Sequence, residues 1–135
     1  MHLFISPITE ADVRAILTWR YPEPYALYSM VSDNPAGDLS YFLDPANAFQ
    51  RVANEQGDLI GFCSFGQDAQ VPGGDYTTDA LDIGLGMCPD LTGQGLGSSF
   101  LAAILDHALR QFAPIRLRAT VAAFNRRCIG CFGLR

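Results

Sequence analysis

Leu81-Asp82-Ile83-Gly84-Leu85-Gly86-Met87-Cys88-Pro89-Asp90-Leu91-Thr92-Gly93-Gln94-Gly95-Leu96-Gly97-Ser98-Ser99 is the stretch on which the fold turns. Ala80 to Met87 reads as a strand that Pro89 stops. From about Gly95 to Phe112 the residues Leu96, Phe100, Leu101, Ile104, Leu105, Ala108, Leu109 and Phe112 recur at helical spacing, which predicts one apolar helix face. Between strand and helix stand Gly93, Gly95 and Gly97. Glycine tolerates positive φ and lets an anion come close to the backbone. The first N–H groups of a helix lack internal partners, and the helix dipole favours negative charge there. Ser98 and Ser99 add hydroxyl donors. Together these describe a phosphate or pyrophosphate site, against the plainer reading of a structural turn.

Two common phosphate-binding patterns do not fit. The dinucleotide fingerprint needs a third glycine five residues after the first, but Ser98 stands there counting from Gly93 and Phe100 counting from Gly95. A Walker loop needs Lys, and the chain has none. The same lack removes Schiff-base chemistry.

Working outward, Leu3 to Ile8 reads as a first strand. Thr9 caps a helix running to about Trp19, with Val13, Ile16 and Leu17 as its apolar stripe. Pro22 and Pro24 break regular structure, Ser32 to Ser40 reads as loop, and Tyr41 to Pro45 as a short turn or extended piece. Phe49–Ala53 and Leu59–Phe65 form the arms of a hairpin, the second apolar enough to be covered on both faces. Gln67 to Thr78 is loop, Ile115 to Val121 a further strand, and Asn125 opens a short helix reaching Arg135. Asp106 and Arg110 pair on the outer face of the long helix, where His107 reads as a surface residue.

The 135 residues are one domain's worth, so residues 1–135 are read as a single domain. With 49% hydrophobic and 17% charged residues, the chain can build a packed core. A net charge of −5 argues against a nucleic-acid partner, whose affinity needs clustered cations. No apolar run approaches the roughly 18 residues that span a bilayer, and the start does not read as a signal peptide. Cys63, Cys88, Cys128 and Cys131 are too scattered for a disulfide framework and read as reduced thiols of a cytoplasmic protein. The Cys128-x-x-Cys131 pair has no second pair or nearby His, so no metal site is expected.

The order strand, Pro89, Thr92, Gly93-Gln94-Gly95-Leu96-Gly97, helix resembles the acyl-CoA signature of the GNAT superfamily of N-acetyltransferases. That signature reads Arg or Gln, two residues, Gly, one residue, then Gly or Ala. Thr92, Gly95 and Gly97 hold those places here, Thr92 being a departure that keeps the backbone N–H groups. The resemblance covers nearly the whole chain: first strand and helix, hairpin, and Asn125-Arg126-Arg127 after the next strand follow the family's order. It implies a mixed, mostly antiparallel sheet flanked by helices, lacking the family's last two strands. It also implies transfer of an acetyl group from acetyl-CoA to a primary amine. Backbone groups near Leu85 and Met87 would hold the pantetheine arm, Gln94, Gly95, Leu96, Gly97 and Ser98 the pyrophosphate, and Asn125 the thioester end.

For the base that takes the amine's proton, Asp82 is the first candidate. Alternation puts it on one face with Gly84 and Gly86, opposite Leu81, Ile83 and Leu85. A solvated strand carboxylate is the competing reading, and Asp79 and Asp75 are alternatives. The family's usual acid, a Tyr seven residues beyond the Asn, falls on Phe132, which cannot donate a proton. A coenzyme A-binding module without transferase activity is therefore the alternative function. Trp19, Tyr21, Tyr25 and Tyr28 are candidates to line the acceptor site, set against a hydrophobic cluster under the loop. The sequence halts at Leu134-Arg135 where the family continues, which predicts an exposed edge at Ile115 to Val121 and a homodimer that covers it.

Overall fold

The computed structural model describes residues 2–21, 23, 34–66, 80–91, 95–112 and 117–118. Five strands form one sheet in chain order: β1 (Phe4–Pro7), β2 (Gln50–Ala53), β3 (Leu59–Phe65), β4 (Leu81–Met87) and β5 (Leu117–Arg118). The first four pair antiparallel, while β4 and β5 run parallel. The mixed, mostly antiparallel sheet expected from the sequence is the one observed. A parallel pair needs a crossover, and the long helix α3 (Gly97–Phe112) supplies it.

Two apolar clusters sandwich the sheet. On one face Val52, Ile60, Cys63, Phe65 and Ile83 pack with Phe100, Ile104 and Ala108 of α3. On the other, Val13 and Ile16 of α1 (Glu10–Ile16) and Phe42 of α2 (Pro35–Leu43) pack on Phe49 and Phe62. Strand β3 lies between them and is buried from Ile60 to Phe65, so its continuous apolar run has the predicted cause. Its register slips where Ala53 pairs with Leu59 and Val52 with Gly61, leaving Ile60 as an extra, bulged residue.

Helix α1 begins in a reciprocal cap. The Asp12 N–H donates to Thr9 Oγ1, while the Thr9 N–H and hydroxyl both donate to Asp12 Oδ2. Arg51 of β2 donates Nε to the same carboxylate oxygen at 2.9 Å and reaches the Gly57 carbonyl in the β2–β3 turn. Buried Asp12 thus ties the start of α1 to the hairpin.

Helix α2 corrects the loop expected over Ser32 to Ser40 from Pro35 onward, and it takes in Tyr41 to Leu43 of the short turn or extended piece expected over Tyr41 to Pro45. Asn34 caps it by accepting from the Gly37 N–H at 3.1 Å, and Pro35 occupies the first turn, where no N–H is needed. Leu39 and Phe42 then recur at helical spacing and enter the second cluster. Of the strand expected over Ile115 to Val121, Leu117–Arg118 is described, and the helix expected from Asn125 lies outside the described residues.

Candidate functional site

The direction of the backbone groups on β4 follows from two hydrogen bonds. Gly66 donates to the Asp82 carbonyl and the Cys88 N–H donates to the Ile60 carbonyl, each at 2.8 Å. Even-numbered β4 residues therefore turn their N–H and C=O groups toward β3, and Ile83, Leu85 and Met87 turn theirs toward the β5 side. On that side the described pairing is Leu81 with Leu117 and Asp82 with Arg118. Leu85 and Met87, the residues named for the pantetheine arm, are thus those whose backbone faces away from the antiparallel ladder.

Beyond β4 a single turn of 3-10 helix, Pro89–Leu91, leads to the glycine turn. Gly95 has φ +77°, the left-handed region that favours glycine, and a Cβ built on it meets nothing within 4 Å. The α3 ladder opens with the Phe100 N–H donating to the Leu96 carbonyl at 3.0 Å. The N–H groups of Gly97, Ser98 and Ser99 therefore precede the ladder, with both serines exposed. A strand end and a helix start with these properties lie eight residues apart in sequence, from Met87 to Gly95.

Aromatic residues wall the same end of β4. The Tyr21 hydroxyl donates to the Met87 carbonyl at 2.5 Å. Burial, with a smaller contribution from Cys88, pushes the Tyr21 phenol up to about 12, so it stays protonated at neutral pH. Trp19 lies against Phe62, ring centroids 6.2 Å apart. Phe62 of β3 in turn lies over Gly86 of β4, where a Cβ would come within 2.5 Å of its ring. Phe62 escaped the sequence reading; the signal was a large ring opposite a glycine in a predicted strand pair.

Asp82 is buried, 4% exposed, on the face expected from alternation. At that exposure it is not the solvated strand carboxylate that was the competing reading. Arg118 donates Nε to Oδ1 at 2.5 Å and Nη2 to Oδ2 at 2.9 Å, so both carboxylate oxygens are engaged. A base needs a lone pair that the incoming amine or a water can reach, and a carboxylate bonded at both oxygens and 4% exposed offers little access. Arg118 was not singled out in the sequence, because its contact depends on strand register 36 residues away. The candidates Gln94, Asn125, Tyr25, Tyr28, Asp75 and Asp79, and the position of Phe132, lie outside the described residues.

Strand, glycine turn, crossover helix and parallel fifth strand define an acetyltransferase-like α/β fold. The model of the acetyltransferase (GNAT) domain matches residues 2–132, and the chain belongs to that family of N-acetyltransferases. Among curated proteins none matches it significantly in sequence. The structure is similar to AAC(6')-Ib in complex with ribostamycin and coenzyme A, at TM-score 0.75 and 16% identity over 97% of this chain and 80% of that one. A spermidine N-acetyltransferase SpeG chimera from Vibrio cholerae and hSSAT gives TM-score 0.67 and 18% identity over 97% and 77%. A GNAT-family acetyltransferase from Bacillus anthracis gives 0.69 and 15% over 97% and 76%.

Proposed function

We propose that the chain is one acyltransferase domain that moves an acetyl group from acetyl-CoA to a primary amine on a small molecule or peptide. The carrying observation is the pairing of outward-facing backbone at Leu85 and Met87 with a left-handed glycine and an open helix start at Gly95 to Ser98. Acetyl-CoA supplies an activated acetyl thioester, a long amide-bearing arm and a pyrophosphate. An arm with alternating N–H and C=O groups suits a strand edge, as an added strand would. A pyrophosphate suits N–H groups ahead of a helix ladder, and the space around Gly95 leaves room for its approach. Gln94 and Asn125 belong to the same proposal, for the pyrophosphate and the thioester end.

Tyr21, with Tyr25 and Tyr28, is assigned to the acceptor side, beside Trp19 and Phe62. A net charge of −5 favours cationic acceptors by steering them to the surface. Spermidine and ribostamycin, the compounds named for two of the similar structures, are amines of this kind. Among the described residues no helix is long and apolar enough to cross a membrane. A cytoplasmic location and partners other than membranes are part of the proposal. A homodimer covering the β5 side is part of the same reading.

The test is thiol release from acetyl-CoA against a panel of polyamines, aminoglycosides and amino-terminal peptides. Turnover that rises with one amine class supports the proposal. Acetyl-CoA binding without turnover of any amine would point to the binding-module reading, and no binding would sink both.

A further inference from the structure

The buried ion pair between Asp82 and Arg118 stands where β4 and β5 meet. The two residues are direct partners in the parallel register, so their side chains leave the sheet on the same face. The guanidinium fork meets the carboxylate fork through two N–H···O bonds, with Asp82 at 4% exposure. Such pairing fixes relative orientation as well as distance, because both partners are planar. Leu81 and Asp82 are the rungs of the described β4–β5 ladder, and Leu85 and Met87 follow within the same strand. Parallel pairing is slightly weaker per residue than antiparallel, and a charge-assisted clamp at this rung adds rigidity to it.

We infer that Asp82 is a positioning residue: locked to Arg118, it pins β5 against β4 and so fixes the strand edge from which Leu85 and Met87 direct their backbone groups. The inference rests on the acetyl-CoA reading above and changes the role of Asp82 within it. A proton acceptor must meet the incoming amine or a water. Asp82 instead gives both oxygens to Arg118 and has little surface left. Specificity for the acyl arm then comes partly from a side-chain pair that never touches it.

A double-mutant cycle on the full chain tests this, using Asp82→Asn, Arg118→Gln and their combination. Acetyl-CoA dissociation constants come from calorimetry, and kcat is followed against pH with the best amine from the panel. Each single substitution is expected to weaken acetyl-CoA about tenfold, and the double no more than the worse single, because one interaction is lost in all three. The pH profile of kcat should keep its wild-type midpoints. Additive losses would overturn the inference. So would a kcat that collapses on Asp82→Asn in the Arg118→Gln background with the dissociation constant unchanged, the signature of a base. Arg118→Lys keeps the charge and loses the fork, and it carries the test if the neutral variants do not fold. A few-fold weaker binding supports the clamp and unchanged binding refutes it. Failure of the underlying acetyl-CoA reading is visible separately, as wild-type protein that does not bind acetyl-CoA.

Discussion

Replacing Gly61 by Ala probes the contact that seats β4 between its neighbours. A Cβ at Gly61 would lie 2.3 Å from the Gly86 carbonyl oxygen, and 2.7 Å from two ring carbons of Phe100. Approaches under 3.0 Å are essentially never seen for real Cβ atoms, so something must move. The ring belongs to a residue 2% exposed in the same core cluster as Ile104 and Val52, and the carbonyl belongs to the backbone of β4. Neither yields cheaply. Overpacking of a tight core costs about 1–3 kcal/mol, and a clash with backbone belongs at the upper end. The entropy that Ala removes from the unfolded chain returns only about 0.4–1 kcal/mol.

A net loss of about 2 kcal/mol corresponds to a fall in Tm of roughly 6–8 °C for a chain of this size. Thermal melts followed by far-UV circular dichroism would show it. Adding Phe100→Leu should not restore the melting temperature, because the carbonyl contact remains. A Gly61→Ala variant melting within 2 °C of wild type would refute this packing of β3 on β4. So would full rescue by Phe100→Leu, which would put the clash in the ring alone.

Three further outcomes follow from single groups. Tyr21→Phe removes the donor to the Met87 carbonyl and should cost about 1 kcal/mol. Because burial pushes the folded phenol up to about 12 from its ordinary 10.0, wild-type stability should fall from about pH 10 to pH 12, with a shallower fall in Tyr21→Phe; parallel curves would refute this. The His107 imidazole, packed on Phe65, is held below its ordinary value by burial first and Arg110 second, with Asp106 opposing. Its proton resonances should titrate below the ordinary imidazole value of 6.5, and stability should decline as pH falls through that lowered midpoint, a decline that His107→Phe removes. The Cys63 thiol, pushed up to about 12 by burial, should resist alkylation at pH 8 while half-buried Cys88 reacts, as peptide mass mapping of the native protein would show.

What the sequence disclosed followed physical rules that act locally. The alternation of Leu81 to Met87 and the spacing of Phe100, Leu101, Ile104 and Ala108 placed a strand and a helix correctly, because each pattern reports which face meets a core. The N-cap read at Thr9 did the same for the start of α1, although the helix ends at Ile16 rather than near Trp19. Helix α2 was hidden because Ser32, Asp33, Asn34, Gly37 and Asp38 have loop composition; its cap and its Leu39–Phe42 spacing are weaker signals than that polarity. The site divided along the same line. Spacing and family resemblance pointed to Gly95, which has positive φ, and to Leu85 and Met87, whose backbone faces away from β3. The Asp82–Arg118 pair and the Phe62 ring over Gly86 were not legible, since each needs register between strands distant in the chain.

The knot of Thr9, Asp12, Arg51 and the Gly57 carbonyl has a bearing on the aromatic wall that its place at the far end of α1 conceals. Helix α1 is riveted to the hairpin at its start and carries Trp19 and Tyr21 just past its finish, where they meet Phe62 and Met87. It behaves as a strut with both ends fastened. Each residue added or removed would rotate the far end by about 100° and shift it by about 1.5 Å, swinging Tyr21 off the strand it braces. The length of this short helix is thereby a measured quantity, gauged from an acidic knot at one end to a phenol at the other.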